Sequence, residues 1–277
     1  MLRIGLTRFD EHQGLTGKNR SSLYEYASHL PIVELDTAYY AIPKQTTVAN
    51  WLTQIPADFR FVIKAYAGLT TQEANSPYFN SVEEMAAAFL EAFEPLQKAG
   101  KLFCFLFQFP AYFTCTPENV AYLRKLRLLM GDSPIAIEFR DNSWYSEKVV
   151  ASMRNFMEQE KFSLAIIDEP QVANRSVPLA DFITNSEFTL VRLHGRNLQG
   201  WQEKGPDWQK KRTLYDYSLS ELQELQKLIE KIQPETKEVA IIFNNNSGGH
   251  AAGNALSLIK LLHLEYKHLN PKQMTLF

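Results

Sequence analysis

Short runs of β-type residues recur along the chain, each followed by helical periodicity or a helix-start signal. The runs are Arg3–Leu6, Ile32–Leu35, Phe59–Lys64, Leu102–Gln108, Ile135–Phe139, Ser163–Ile167, Thr189–His194 and Val239–Asn244. Several are apolar on both faces, as Leu-Phe-Cys-Phe-Leu-Phe at 102–107 shows. Continuous apolarity suits parallel strands covered by helices on one side and a filled interior on the other.

The segments between them carry helix-end chemistry. Ser81-Val82-Glu83-Glu84 reads as a capping box, with a helix running through Phe89 and Phe93 to Gly100 and kinked at Pro95. Thr116-Pro117 supplies a cap and a first-turn proline, and Gly131 ends that helix. Ser218 to Glu221 is a second capping box, opening a helix with Leu222, Leu225, Ile229 and Ile232 on one stripe. Ala251 to His268 reads as a last helix, with Leu256, Ile259, Leu262 and Tyr266 inward. Eight β–α alternations without a linker predict a single (β/α)8 TIM barrel over residues 1–268, followed by a short tail, 269–277. A doubly wound sheet is the weaker reading, because no Gly-x-Gly-x-x-Gly or P-loop follows an early strand. Two connections, 169–186 and 195–217, lack clear helical pattern, and long loops in compact domains are usually functional.

Composition narrows the class. Among 277 residues, 29 Lys and Arg face 31 Asp and Glu, giving a net charge of −2, which argues against a protein coated in nucleic acid or lipid. Cys104 and Cys115 make no disulfide framework or metal-ligand spacing. The first strand begins at once, leaving no room for a signal peptide, and the longest apolar run is far short of the ~20 residues of a membrane helix. A cytoplasmic protein without membrane contact is the expectation.

In a TIM barrel the chemistry sits at the C-terminal ends of the strands. Here those ends carry Glu34 and Asp36, Lys64, Gln108, Glu138 and Arg140, Asp168, Arg192 and His194, then Asn244 and Asn245. Alternation aligns Glu138 and Arg140 with Ala136, Asp168 with Leu164 and Ile166, and Arg192 and His194 with Leu190. A charge within a strand must be paired, so Arg192 calls for Glu138 or Asp168 as partner. A structural ion-pair network of these three is the plain alternative to a catalytic role.

These same residues carry a family resemblance. Val33-Glu34-Leu35-Asp36-Thr37-Ala38-Tyr39-Tyr40-Ala41-Ile42-Pro43 resembles the Val-Glu-Ile-Asn-Ser-Thr-Phe-Tyr-x-x-Pro segment of the DUF72 family (UPF0759, YecE/YunF-like). The likeness continues through Trp51, Pro56, 58–61, Lys64, 107–110, 137–144, 191–196 and 243–245, in the family's order across residues 1–260. It implies a TIM barrel and carries no assigned activity. Many members follow the first strand with Gly-Thr-Ser-Gly and Trp or Tyr, where this chain has Gly5-Leu6-Thr7-Arg8-Phe9.

The residue types suggest acid/base work by His194, Glu138 and Asp168, with Lys64 as electrophile, anion anchor or Schiff-base amine. Arg140, Arg192 and Arg196 are phosphate or carboxylate forks, joined for ligand binding by Glu34, Tyr40, Gln108, Trp144, Asn244 and Asn245. Gly248 and Gly249 precede a helix and can bring backbone N–H groups to an anion. Tyr39, Trp201 and Trp208 add stacking faces. The expectation is an enzyme acting on a phosphorylated or nucleotide-like ligand, against a non-catalytic module for anions or nucleic-acid ends. No cofactor is expected; a divalent metal on Glu138, Asp168 and His194 is the minor option, opposed by the nearby arginines. The tail has Gln273, Leu276 and Phe277 in the spacing of a sliding-clamp-binding peptide, which would make the barrel a clamp-recruited adaptor in DNA maintenance. Packing of Leu276 and Phe277 on the barrel is the alternative.

Overall fold

Side chains alternating along the parallel strands separate two buried layers. Ile32, Val62, Cys104, Leu106, Ala136, Leu190, Ala240 and Ile242 cluster inside the sheet. Their neighbours Val33, Phe61, Ile63, Phe105, Phe107, Ile137, Val191 and Ile241 belong to the layer that includes the outer helices. The computed structural model describes residues 1–72, 78–172, 176–203, 205 and 207–272. Among these, the strands are β1 (Leu2–Thr7), β2 (Ile32–Leu35), β3 (Arg60–Lys64), β4 (Leu102–Gln108), β5 (Ile135–Glu138), β6 (Phe162–Leu164), β7 (Ile166–Asp168), β8 (Phe188–Leu193) and β9 (Glu238–Phe243). Every pairing is parallel, in the order β6-β5-β4-β3-β2-β1-β9-β8-β7.

The two ends of this order are consecutive in the chain. β6 pairs with β5 and β7 pairs with β8, with only Ala165 between them. The single run expected at Ser163–Ile167 is thus one interrupted strand whose halves face different neighbours, and it brings the barrel nearly to closure. Ala165 N still donates to Ile137 O at 2.8 Å. Beside the break, Leu164 N donates to Thr184 Oγ1 (2.8 Å), whose hydroxyl donates to Phe162 O (3.0 Å). A side chain from the 169–186 connection therefore satisfies backbone groups that a neighbouring strand would otherwise take.

Gly5 allows β1 and β2 to close together: a Cβ there would stand 2.1 Å from Ile32 O. The helix Val82–Lys98 is continuous, with Pro95 inside it. Its box is half made: Ser81 Oγ accepts from Glu84 N, but the Glu84 carboxylate turns to Asn80 N. The helix Pro117–Met130 has Thr116 as cap, and Leu219–Ile232 has a complete box between Ser218 and Glu221.

The last helix is shorter than its pattern suggested, His250–Leu261. His263 takes a left-handed φ of 50°, its N–H reaches Lys260 O, and Leu264 N reaches Ile259 O. Those paired bonds end the helix as a Schellman turn. Its inward face is Ala251, Ala252, Ala255 and Leu258, while Leu256 is exposed. The 195–217 connection contains short helices at Leu198–Gln202 and Trp208–Arg212. Among the described residues no helix is long and apolar enough to cross a membrane. Gln273, Leu276 and Phe277 lie outside the described residues.

Candidate functional site in the barrel mouth

Two residues beyond each interior apolar position, the same alternation places a polar one. Ile32 leads to Glu34, Val62 to Lys64, Leu106 to Gln108, Ala136 to Glu138, Leu190 to Arg192 and Ile242 to Asn244. This polar layer floors a cavity of about 1250 Å³ at the C-terminal ends of the strands.

Arg192 organises the layer. Its Nε donates to Glu34 Oε2 (2.8 Å) and its Nη2 to Glu34 Oε1 (2.6 Å), while Nη1 donates to Glu138 Oε2. Glu138 Oε1 also accepts from Gln108 Nε2 (2.6 Å) and Arg140 Nη1 (3.1 Å). Arg192, Glu34 and Glu138 are almost wholly buried, so each charge is tolerable only because its partner is fixed. Burial opposes ionisation of Glu138, but Arg192, His194 and Arg140 prevail and hold its carboxyl well below the usual range. The sequence expectation named Asp168 as a partner for Arg192; the second carboxylate is Glu34 on β2, with β1 and β9 between it and β8 in the sheet.

His194 is buried beside this network, with Nε2 3.4 Å from Glu138 Oε1. Asn244 Nδ2 donates to Nδ1 at 2.8 Å, which leaves the ring proton on Nε2. Burial brings the imidazole down to about 4 despite Glu138, so it is neutral near pH 7. Lys64 ends β3 with Nζ 4.4 Å from the centroid of the Tyr39 ring. Burial, reinforced by Arg192, lowers its pKa from the ordinary lysine value.

The long connection after β8 forms one wall. Arg212 lies between two indoles, 4.6 Å from the centroid of Trp201 and 4.3 Å from that of Trp208. Arg140 sits 5.2 Å from Trp201, which is buried, whereas Trp208 is exposed. Lys210, Lys211, Arg8 and Tyr40 also line the cavity. Gly248 and Gly249, at φ 81° and 78°, complete the rim before the last helix. Arg8 has φ 62°, a left-handed conformation at the place where the family's first-strand pattern carries its second glycine.

Four expected site residues are placed elsewhere. Asp168 does not line the cavity: it accepts from Arg196 Nε (3.0 and 3.1 Å) and from Tyr217 Oη (2.6 Å). It shares its face with Leu164 and Ile166, both packed in the outer layer, so the reading of that face as inward is corrected. Arg196 goes with it, also pairing with Glu224. Trp144 is buried against Phe139 and Phe113 and donates to Phe113 O (2.8 Å). Asn245 is buried and donates to Asn254 Oδ1 (2.8 Å) and Tyr215 O (2.9 Å).

Glu169 was missed. It is buried, ion-paired with Arg140 at 2.7 Å, and accepts from Val177 N at 2.9 Å. Burial pushes it up to about 6, against the pull of Arg140. Its alternation with Ile167 and Ala165, rather than that of Asp168, was the available signal. Arg212 was missed because nothing local announces a guanidinium folded between indoles four and eleven positions earlier. Among the described residues no group of three or more His, Cys, Asp or Glu is arranged to hold a metal ion, and Asp168 points away from Glu138 and His194.

Comparison with known proteins agrees with this architecture. The family described as "Protein of unknown function DUF72" matches residues 3–276. The chain is 42% identical to the UPF0759 protein YunF of Bacillus subtilis over the full length of both. It is 27% identical to YecE of Escherichia coli, over 78% of this chain and 85% of that protein. Among solved structures, a DUF72 family protein of Enterococcus faecalis superposes with a TM-score of 0.96 at 53% identity, covering 99% of this chain and all of that one. One from Thermotoga maritima gives 0.80 at 28% identity, covering 95% and 100%. On its fold, its polar layer and these matches, the chain belongs to the DUF72 family of TIM-like barrels.

Proposed function

We propose that the protein is an enzyme that takes a phosphorylated, nucleotide-like small molecule into the barrel mouth and moves a proton on it. The observation that carries this reading is the pair of groups His194 and Lys64 in one cavity. One is a neutral imidazole with Nε2 against the Glu138 carboxylate, and the other is an amine whose proton affinity is depressed. A neutral imidazole backed by a carboxylate can take part in proton exchange with a substrate, and an amine that holds its proton less tightly than usual can give it up more readily. Glu138, held as a carboxylate by Arg192, Arg140 and Gln108, orients His194 rather than exchanging protons itself.

Ligand class follows from the wall. Lys210, Lys211, Arg8 and Arg212 give the rim a cationic side suited to phosphate, and the exposed face of Trp208 suits a planar ring. The volume is ample for a nucleotide. The test is product formation across a panel of phosphosugars and nucleotides followed by NMR. Turnover of one member, lost about hundredfold or more in His194→Ala and in Lys64→Met, is the expected result. Tight binding without product anywhere in the panel would replace the enzyme with a non-catalytic anion-binding module.

A further inference from the structure

We propose that Lys64 is a nucleophile that forms an imine with an aldehyde or ketone bearing an anionic group. The inference rests on the preceding reading of the mouth as an anionic-ligand site, and it narrows the substrate to carbonyl compounds.

Position is the first argument. Lys64 ends a strand hydrogen-bonded on both sides, by β2 and β4, and its backbone lies opposite Leu106 of β4. It rises from the apolar interior formed by Val62 and Leu106 and opens into the cavity. A rigid strand end holds a nucleophile at a defined point over a space large enough for substrate.

Partnering is the second. Arg192, Arg140 and Arg8 each have a carboxylate partner, as do Lys210 and Lys211 at the rim. Lys64 has no carboxylate oxygen within 4.0 Å among the described residues; its Nζ rests over the Tyr39 ring instead. Glu34, Glu138 and Asp36 act on it only from longer range, and Arg192 opposes its charge. A lysine serving purely as structure in this layer would be expected to neutralise one of the buried carboxylates. Both nearest carboxylates are already taken by Arg192. Burial without a partner favours the neutral amine, which is the form with a lone pair to give.

The chemistry balances without any oxidant or reductant. The Lys64 Nζ lone pair forms the C–N bond as the carbonyl π pair moves to oxygen, which takes one of the two amine protons. The resulting carbinolamine loses that oxygen as water, with one proton leaving nitrogen, and the C=N bond remains. His194 lines the same cavity with its Nε2–H turned to Glu138, so the departing oxygen takes its second proton from the amine nitrogen itself. Cationic Arg140 and the Lys210–Arg212 wall are placed to hold the anionic end of the molecule.

The test is reductive trapping on the intact protein. Wild-type protein is incubated with limiting dihydroxyacetone phosphate, or separately with pyruvate, in the presence of cyanoborohydride, and labelled lysines are located by peptide mass spectrometry. The expected result is one adduct per chain at Lys64, formed about tenfold or more faster than at exposed Lys98, which is paired with Glu94. Preference for one probe tells phosphate from carboxylate as the anionic group. The Lys64→Arg variant should lose that adduct while retaining labelling at exposed lysines. Labelling of Lys64 no faster than Lys98 with both probes would overturn the proposal, whatever the variant does. If phosphorylated ligands are still turned over in that case, only the imine fails; if no panel member binds either, the reading of the mouth fails with it.

Discussion

At the scale of single residues, two buried groups, His194 in the mouth and Glu169 behind Arg140, respond to acid with opposite signs. His194 lies at about 4 in the folded protein, below the ordinary 6.5. Between those values the unfolded chain binds a proton that the folded one refuses, so stability falls as pH drops from 6.5 toward 4, by about 3 kcal/mol in all. Glu169 is pushed up to about 6 from 4.5. There the folded state keeps a proton that the unfolded chain has lost, so stability falls as pH rises through that window, by about 2 kcal/mol. His194→Gln should therefore flatten the acid loss of stability, and Glu169→Gln should steepen it. Urea denaturation from pH 4 to 7 measures both, and parallel profiles for the two variants would contradict the assignment. The side chains themselves were largely legible: Glu34, Lys64, Gln108, Glu138, Arg140, Arg192, His194 and Asn244 all fall in or against the mouth. Their partners were not legible, because Glu34 and Arg192 stand 158 positions apart and meet only across a closed barrel.

At the scale of elements, Gly5 and the interrupted β6–β7 strand decide how the barrel closes. Gly5→Ala would drive a methyl into Ile32 O and the Ile32 side chain, separating β1 from β2. We expect a loss of about 3 kcal/mol by chemical denaturation; an unchanged midpoint would show that the two strands can spread at no cost. Alternation located the polar ends of six strands correctly and misled at the sixth run, Ser163–Ile167. There Ala165, not Leu164, faces inward, so Glu169 approaches Arg140 while Asp168 turns to Arg196 and Tyr217. A four- or five-residue run that is apolar on both faces offers no contrast by which to choose its inner side. The last helix shows a similar limit. Its apolar spacing continued past Leu261, but His263 adopted the left-handed turn and ended it.

At the scale of the whole molecule, the net charge of −2 conceals a localised cationic wall. Lys210 and Lys211 are exposed and, among the described residues, pair with exposed Asp207 and half-buried Glu203, so their attraction for an anionic ligand is open to screening. Calorimetric titration with a nucleoside monophosphate should show affinity weakening steadily with added sodium chloride. Salt-independent binding would place the ligand's charge on the buried layer, at Arg140, instead of the rim. Local sequence was sufficient for the repeated strand–helix units, most helix caps and the polar strand ends, because these depend on neighbours two to four positions away. Tertiary structure alone decided which carboxylate neutralises Arg192, which face of β6–β7 turns inward, and that Arg212 stacks between Trp201 and Trp208. Those outcomes depend on barrel closure, which sets distances between residues far apart in the chain and strips away the water that would otherwise screen their charges.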